Sequence, residues 1–242
     1  MGKARNTNYI FTFGNFGVGK STLMAAICSY IQDSPEVRLR KNVDGNQEGM
    51  RLLMNDWMTA LKKRQYPPQS RKGMILNIDV GLQGVGESKI IPITFLEMSG
   101  EDLNALDIRY YTDESEFNSL KSEFISYLKE TKICLIVTSV ETAESDDLLI
   151  DQFFEWLERY QVKSPILLVV SKWDKLEKKI PVDEFIKTRM PSTSKWLVDN
   201  NVGDCDFKKF SIGKTENDNK IISINLKDAE DISHWIAKFL YS

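Results

Sequence analysis

Gly14-Asn15-Phe16-Gly17-Val18-Gly19-Lys20-Ser21 constrains this chain more than any other stretch, because it fits the spacing G-x-x-x-x-G-K-[ST] and stands between an apolar run and a helical pattern. The logic of that spacing is electrostatic. Glycines let successive backbone N–H groups curl around a phosphate, the following helix adds the positive end of its dipole, and Lys20 adds a cation for the outer phosphates. Ser21 supplies a hydroxyl suited to direct contact with Mg²⁺, and Thr22 extends the run of amides into the helix. Such a bend needs a strand before it, and residues 9–13 read as one. Leu23, Ile27, Tyr30 and Ile31 then recur at helical spacing until Pro35 stops the pattern.

The remaining periodicities predict where the other elements fall. Met50, Leu53, Met54, Trp57, Met58 and Leu61 form a second helical stripe, read as core packing, ahead of the breaker Tyr66-Pro67-Pro68. Residues 74–80 and 90–97 read as an antiparallel hairpin around Gly81, Gly84 and Gly86, with Pro92 suited to an edge position. A helix follows with Phe117, Leu120, Phe124 and Leu128 on its buried face. The continuous apolar runs 134–137 and 166–170 suggest strands covered on both faces, and they bracket a helix carrying Leu149, Phe153, Trp156, Leu157 and Tyr160. A helical region over 182–200 interrupted near Pro191, a strand over 207–212 and a last helix with Ile232, Trp235, Ile236 and Phe239 complete the reading. This alternation predicts an α/β fold: a mostly parallel, doubly wound sheet with one antiparallel strand and helices on both faces. Residues 1–242 are expected to form a single domain, with a helical insertion at about 46–64 and a helical extension at about 103–130.

Composition narrows the class of function. With a net charge of −3 over 242 residues the chain carries no electrostatic footprint for duplex nucleic acid or an anionic membrane. Three scattered cysteines, Cys28, Cys134 and Cys205, make neither a disulfide scaffold nor a zinc motif, and His234, the only histidine, excludes a multi-histidine metal centre. No run approaches the roughly 18 apolar residues of a membrane span. A cytoplasmic protein is expected, with neither nucleic acid nor membrane as partner; the oligomeric state stays open.

Ser171-Lys172-Trp173-Asp174 follows the buried run 166–170 and resembles the N/T-K-x-D base-recognition motif of GTPases. The Asp174 carboxylate can accept N1–H and N2–H of guanine, donors that adenine does not present, while the Lys172 stem lies over the ring. Ser171 replaces the usual Asn or Thr, which predicts a weaker tie to the phosphate loop. Ser211 and Ile212, in Phe210-Ser211-Ile212-Gly213-Lys214, occupy the place of the S-A-K loop, whose backbone N–H meets the guanine carbonyl in this superfamily. Residues 93–100 look like the strand plus D-x-x-G of the same family, with Glu97 in the acidic position supporting Mg²⁺ and Gly100 reporting the γ-phosphate. Asp79 is the competing acidic strand end. The order of these motifs is similar to that of the P-loop NTPases of the Ras-like and translation-factor-related class. The P-P-x-S turn, the E-x-x-G-E continuation and the Ile232–Trp235 ending resemble bacterial GTPases of multi-gene conflict or signalling systems.

That resemblance implies GTP and GDP as ligands, Mg²⁺ as cofactor, and a switch that hydrolyses GTP to GDP and phosphate. Lys20, Ser70 and Glu101 are the catalytic candidates, and Ser21, Ser70 and Glu97 the metal-ligating ones. Ser70 stands for the switch Thr, with Ser88 and Thr7 less well placed. Glu101 stands where many relatives carry a water-orienting Gln, and bulky Phe16 stands in a loop position that is often Gly, so slow turnover without a partner is expected. Burial would instead let Glu101 act as a general base; Asp102 reads as a helix N-cap. An effector or activating protein is expected near residues 67–73 and 100–113. Two other readings stay open. An ATP-dependent phosphotransferase would share the phosphate loop and close Arg71 or Arg109 over a second substrate, and a nucleotide-bound scaffold would have no useful catalysis.

Overall fold

Continuous apolar runs that are too short for helices bury themselves as central strands, and the strands here carry that pattern. The structure is a computed structural model that describes residues 8–41, 47–68, 75–100, 114–200, 204–216 and 220–241. β1 (Asn8–Phe13), β2 (Val37–Lys41), β3 (Ile75–Gly84), β4 (Ile91–Met98), β5 (Thr131–Ser139), β6 (Ile166–Ser171) and β7 (Cys205–Lys209) form one sheet in the order β2-β3-β4-β1-β5-β6-β7. β4, β1, β5, β6 and β7 pair in parallel. β3 is antiparallel to both β4 and β2, so among the described strands it alone runs against the sheet, as expected.

Side-chain alternation along the strands feeds two cores. On one face, Ile10, Ile78, Val137 and Val169 meet Leu23 and Ile27 of α1 (Lys20–Asp33) and Ile232 and Ile236 of α8 (Lys227–Leu240). The same core takes Leu53, Trp57 and Leu61 from a continuous helical run: α2 (Gln47–Arg51), a π-type segment (Leu52–Trp57) and α3 (Met58–Lys62). On the other face, Phe11, Leu96, Ile136 and Leu168 meet α4 (Glu114–Glu130) through Phe124 and Leu128, and α5 (Ala143–Arg159) through Phe153 and Leu157. α6 (Val182–Arg189) and α7 (Pro191–Asp199) complete this layer through Phe185 and Leu197. Pro191 opens α7, and Met190 before it leaves helical geometry at φ −134° and ψ 63°, the expected effect of a following proline ring. None of the described helices is long and apolar enough to cross a membrane. Cys28 and Cys134 are fully buried free thiols, each pushed up to about 12 by burial.

Four sequence expectations need correction. The strand expected over 207–212 is Cys205–Lys209, which leaves Phe210 to Ile212 as a loop at the sheet edge. Strand β3 runs on through Gly81 and Gly84 because both pair with β2, an edge strand whose basic residues masked its Val37 and Leu39 alternation. Pro92 lies in an interior strand instead of an edge. It is tolerated there because β1 begins pairing only at Ile93, and the Pro92 carbonyl takes the Asn8 side-chain amide at 3.1 Å. Finally, residues after the 210–212 loop form an unforeseen hairpin, β8 (Gly213–Glu216) with β9 (Lys220–Ile224). Its second strand is tied to the end of the helical run by a Gln65–Lys220 bridge and by Ile221 N–H donating to Arg64 O at 3.2 Å.

Trp57 is the largest fully buried side chain. Trp57→Ala is expected to lower unfolding free energy by about 3–5 kcal/mol, measured by urea denaturation; a loss under ~1 kcal/mol would mean that this stripe is not core.

Candidate functional site

In an open α/β sheet, a ligand crevice forms beyond the carboxyl ends of the strands where the chain departs to both sides. β1 has β4 on one flank and β5 on the other, and its following bend opens that crevice. Gly14, Gly17 and Gly19 carry φ of 152°, 74° and 91°, which side-chain-bearing residues rarely adopt. At Gly14 a Cβ would also lie 2.1 Å from the Val137 carbonyl oxygen, so the bend sits directly on β5. Buried Lys20 donates from Nζ to Gly14 O at 2.8 Å and Asn15 O at 3.0 Å. Desolvation holds its ammonium below the usual lysine value, against the opposing pull of Glu97 and Asp146.

Two carboxylates organise this end. Ser21 Oγ donates to Glu97 Oε1 at 2.8 Å, which joins the helix start to the end of β4. Asp79 does not share this position: it lies mid-strand in antiparallel β3, opposite Thr94, and accepts that residue's hydroxyl. Asp146, at the start of α5, is buried and accepts from Thr138 Oγ1 at 2.7 Å, Thr142 Oγ1 at 2.7 Å and Asn15 Nδ2 at 3.0 Å. Asn15 Oδ1 in turn takes the Phe16 N–H at 2.7 Å, while the Phe16 ring stays 47% exposed at the lip. Gly100 touches the same bend. A Cβ there would meet Phe16 N at 1.9 Å, so only glycine permits this approach of the two backbones.

The base-motif turn is fastened to the phosphate loop. Ser171 Oγ donates to Val18 O at 2.5 Å, so serine does tie the turn to the loop, its short side chain reaching because Ser171 Oγ lies beside the bend. Lys172 turns the chain at φ 54°. Its Nζ and that of Lys175 each lie 2.6 Å from the Glu141 carboxylate, and these bonds hold the Glu141 carboxyl below the usual value. Asp174 accepts Ser211 Oγ at 3.0 Å and Thr215 Oγ1 at 3.1 Å. The Ser211 N–H donates to Asp228 Oδ2 at 2.9 Å, and Ile212 lines the cleft beside it.

These pieces enclose one cleft of about 280 Å³. Phe16, Gly17, Gly19, Lys20, Ser21 and Thr22 line one end with Glu97 and Gly100, and Ser171, Lys172, Asp174 and Ile212 line the other. Gly14, Asn15 and Val18 shape the bend from behind. Ser70 and Glu101 lie outside the described residues, as do Thr7, Arg71, Asp102 and Arg109. Ser88 sits in the β3–β4 connection, away from the cleft lining. Sequence reading missed Asp146, Glu141, Tyr66 and Thr215. The first two follow β5 without a motif of their own, and the last two reach the cleft only through the hairpin.

No family model matches the chain, and no curated protein does. A structure of Methanosarcina barkeri Roco2 RocCORdC bound to GDP is similar at 13% identity and a TM-score of 0.47, over 98% of this chain and 50% of that one. The chain spans half the length of that neighbour, and what it binds is read from its own side chains.

Two outcomes check this geometry. Ser171→Ala removes a donor from a buried carbonyl and is expected to cost about 1–3 kcal/mol in urea denaturation; an unchanged midpoint would mean that the fastening is dispensable. Because the folded Glu141 carboxyl sits below its ordinary value of 4.5, its clasp stabilises the fold above that value and is lost as pH falls through the lower, folded value. The Tm advantage of wild type over Glu141→Gln should therefore be present at pH 7 and vanish at strongly acid pH.

Proposed function

We propose that this chain binds GTP and GDP with Mg²⁺ and hydrolyses GTP to GDP and phosphate, slowly until a protein partner assists. One observation carries the reading: Lys20 and Ser21 at one end of a single cleft, and Lys172 and Asp174 at the other, are joined by the Ser171–Val18 hydrogen bond. A nucleotide has the same layout, with anionic phosphates separated from a donor-bearing base by a sugar.

At the phosphate end, amides of the Gly14–Thr22 bend bind the chain of phosphates, and Lys20 exchanges the Gly14 and Asn15 carbonyls for phosphate oxygens. Ser21 and Glu97 offer the hard oxygen donors that Mg²⁺ requires, already within 2.8 Å of each other. Bound there, Mg²⁺ supplies charge neutralisation at the β- and γ-phosphate oxygens. Ser70 is the proposed switch hydroxyl, and Gly100, seated on the loop backbone, the reporter of the γ-phosphate. Glu101 is the proposed water-orienting residue, and its carboxylate, beside an anionic transition state, is the reason for slow turnover. Phe16 at the lip narrows the approach of an activating arginine.

At the base end, Asp174 selects guanine through N1–H and N2–H, and Ser211 and Ile212 border the base. An ATP-dependent phosphotransferase is less well supported, because adenine lacks both donors and would leave this carboxylate unsatisfied.

Asp174→Asn is expected to weaken GDP binding about a hundredfold, two charge-assisted hydrogen bonds at ~1.5 kcal/mol each. Xanthosine diphosphate should gain affinity, since its C2 carbonyl accepts from the new amide. Titration calorimetry with Mg²⁺ reads both. Equal GDP affinity in the two proteins would overturn the base assignment, and absence of phosphate release from GTP by the wild type, alone and with cell extract, would overturn hydrolysis.

A further inference from the structure

The hairpin β8–β9 stands between the 210–212 loop and the last helix, and one of its side chains reaches the base end of the cleft. Thr215 Oγ1 donates to Asp174 Oδ2 at 3.1 Å, while Ser211 Oγ lies 3.0 Å from Oδ1 and 3.1 Å from Gly213 O, so its one hydroxyl hydrogen is shared between two acceptors. Tyr66 lies near both Thr215 and Asp174, and burial is the main reason its phenol is pushed up. Tyr66, Pro67, Pro68 and Thr215 all line the cleft beside Lys172 and Lys175. The two elements that bring Tyr66 and Thr215 together are themselves joined by the Gln65–Lys220 bridge and the Ile221–Arg64 hydrogen bond.

We infer that Thr215 is a positioning residue for purine selection: its O–H on one oxygen, with Ser211 Oγ at the other, fixes the plane of the Asp174 carboxylate, so that both oxygens present a free lone pair to the base at once. This rests on the guanine reading above and extends it to a residue outside the base motif. The physical reason is geometric. A carboxylate free to rotate about its χ2 still satisfies one N–H, whereas a base with two adjacent donors, N1–H and the 2-amino group, requires both oxygens in its own plane. Loss of the Thr215 donor therefore penalises guanine more than hypoxanthine, which has N1–H and no 2-amino group. Each carboxylate oxygen has two lone pairs, so the orienting hydroxyls and the base bind together and do not compete.

The test compares GDP and inosine diphosphate by titration calorimetry with Mg²⁺ on the full chain as wild type, Thr215→Val, Thr215→Ser and Asp174→Asn. Thr215→Val, isosteric but without the donor, should lose about tenfold in GDP affinity, one hydrogen bond to a charged group, and much less for inosine diphosphate. The GDP preference should thus collapse, with Thr215→Ser restoring it. Thermal melts of each variant separate this from general unfolding, which would weaken both nucleotides equally and is not rescued selectively by Ser. An unchanged preference in Thr215→Val, or tighter GDP binding there, would overturn the inference. If Asp174→Asn alters the preference and Thr215→Val does not, the positioning role of Thr215 alone fails; if neither does, the guanine reading fails with it.

Discussion

One hydrogen bond, from Ser171 Oγ to the Val18 carbonyl, fastens the Ser171–Asp174 turn to the Gly14–Ser21 bend. It spans 153 residues of sequence and sits in a buried position where neither partner meets water. Without it the Gly14–Ser21 bend and the Ser171–Asp174 turn would still follow adjacent parts of the sheet, β1 and β6 with β5 between them, but their spacing would float. The bond holds the Lys20–Ser21 end and the Lys172–Asp174 end of the cleft at a constant separation. A short buried bond of this kind is also costly to leave unmade, which makes the geometry stiff.

Charge is arranged around that fastening with similar care. Lys20 is buried, and a buried ammonium survives only among acceptors. Here it has two carbonyls of its own loop, with the negative fields of Glu97 and Asp146 behind them. Asp146 also holds Asn15, whose side chain holds the Phe16 amide, so a single carboxylate at the start of α5 stabilises both the cation and the loop that curls over it. Glu141 performs the parallel service at the far end, where it clasps Lys172 and Lys175 and sets the turn that carries Asp174. Both acidic residues come from the segment just after β5. That strand lies between β1 and β6 and so between the two ends of the cleft.

The hairpin after β7 changes how the Asp174 end of the cleft is built. In its absence the 210–212 loop would lead directly into α8, and Thr215 would be missing from the lining. Its pairing with the end of the helical run sets Tyr66 and Thr215 in the same wall.

What the sequence determined by itself is local. The bend at Gly14–Ser21, the buried strands of the centre, the helical stripes with Trp57 and Phe153, and the single antiparallel strand were legible because glycine spacing and apolar periodicity act over a few residues. The proximity of Ser21 to Glu97, and the preference for Glu97 over Asp79, depended on a strand direction that the hairpin pattern already implied. Strand β2, the hairpin β8–β9, the interior place of Pro92, the reach of Ser171, Tyr66 and Thr215 into one cleft, and the hold of Asp146 on Asn15 belonged to tertiary structure. Short, polar edge strands bury too little apolar surface to leave a periodic signal. A hydrogen bond between residues more than a hundred positions apart exists only once the sheet has set their distance.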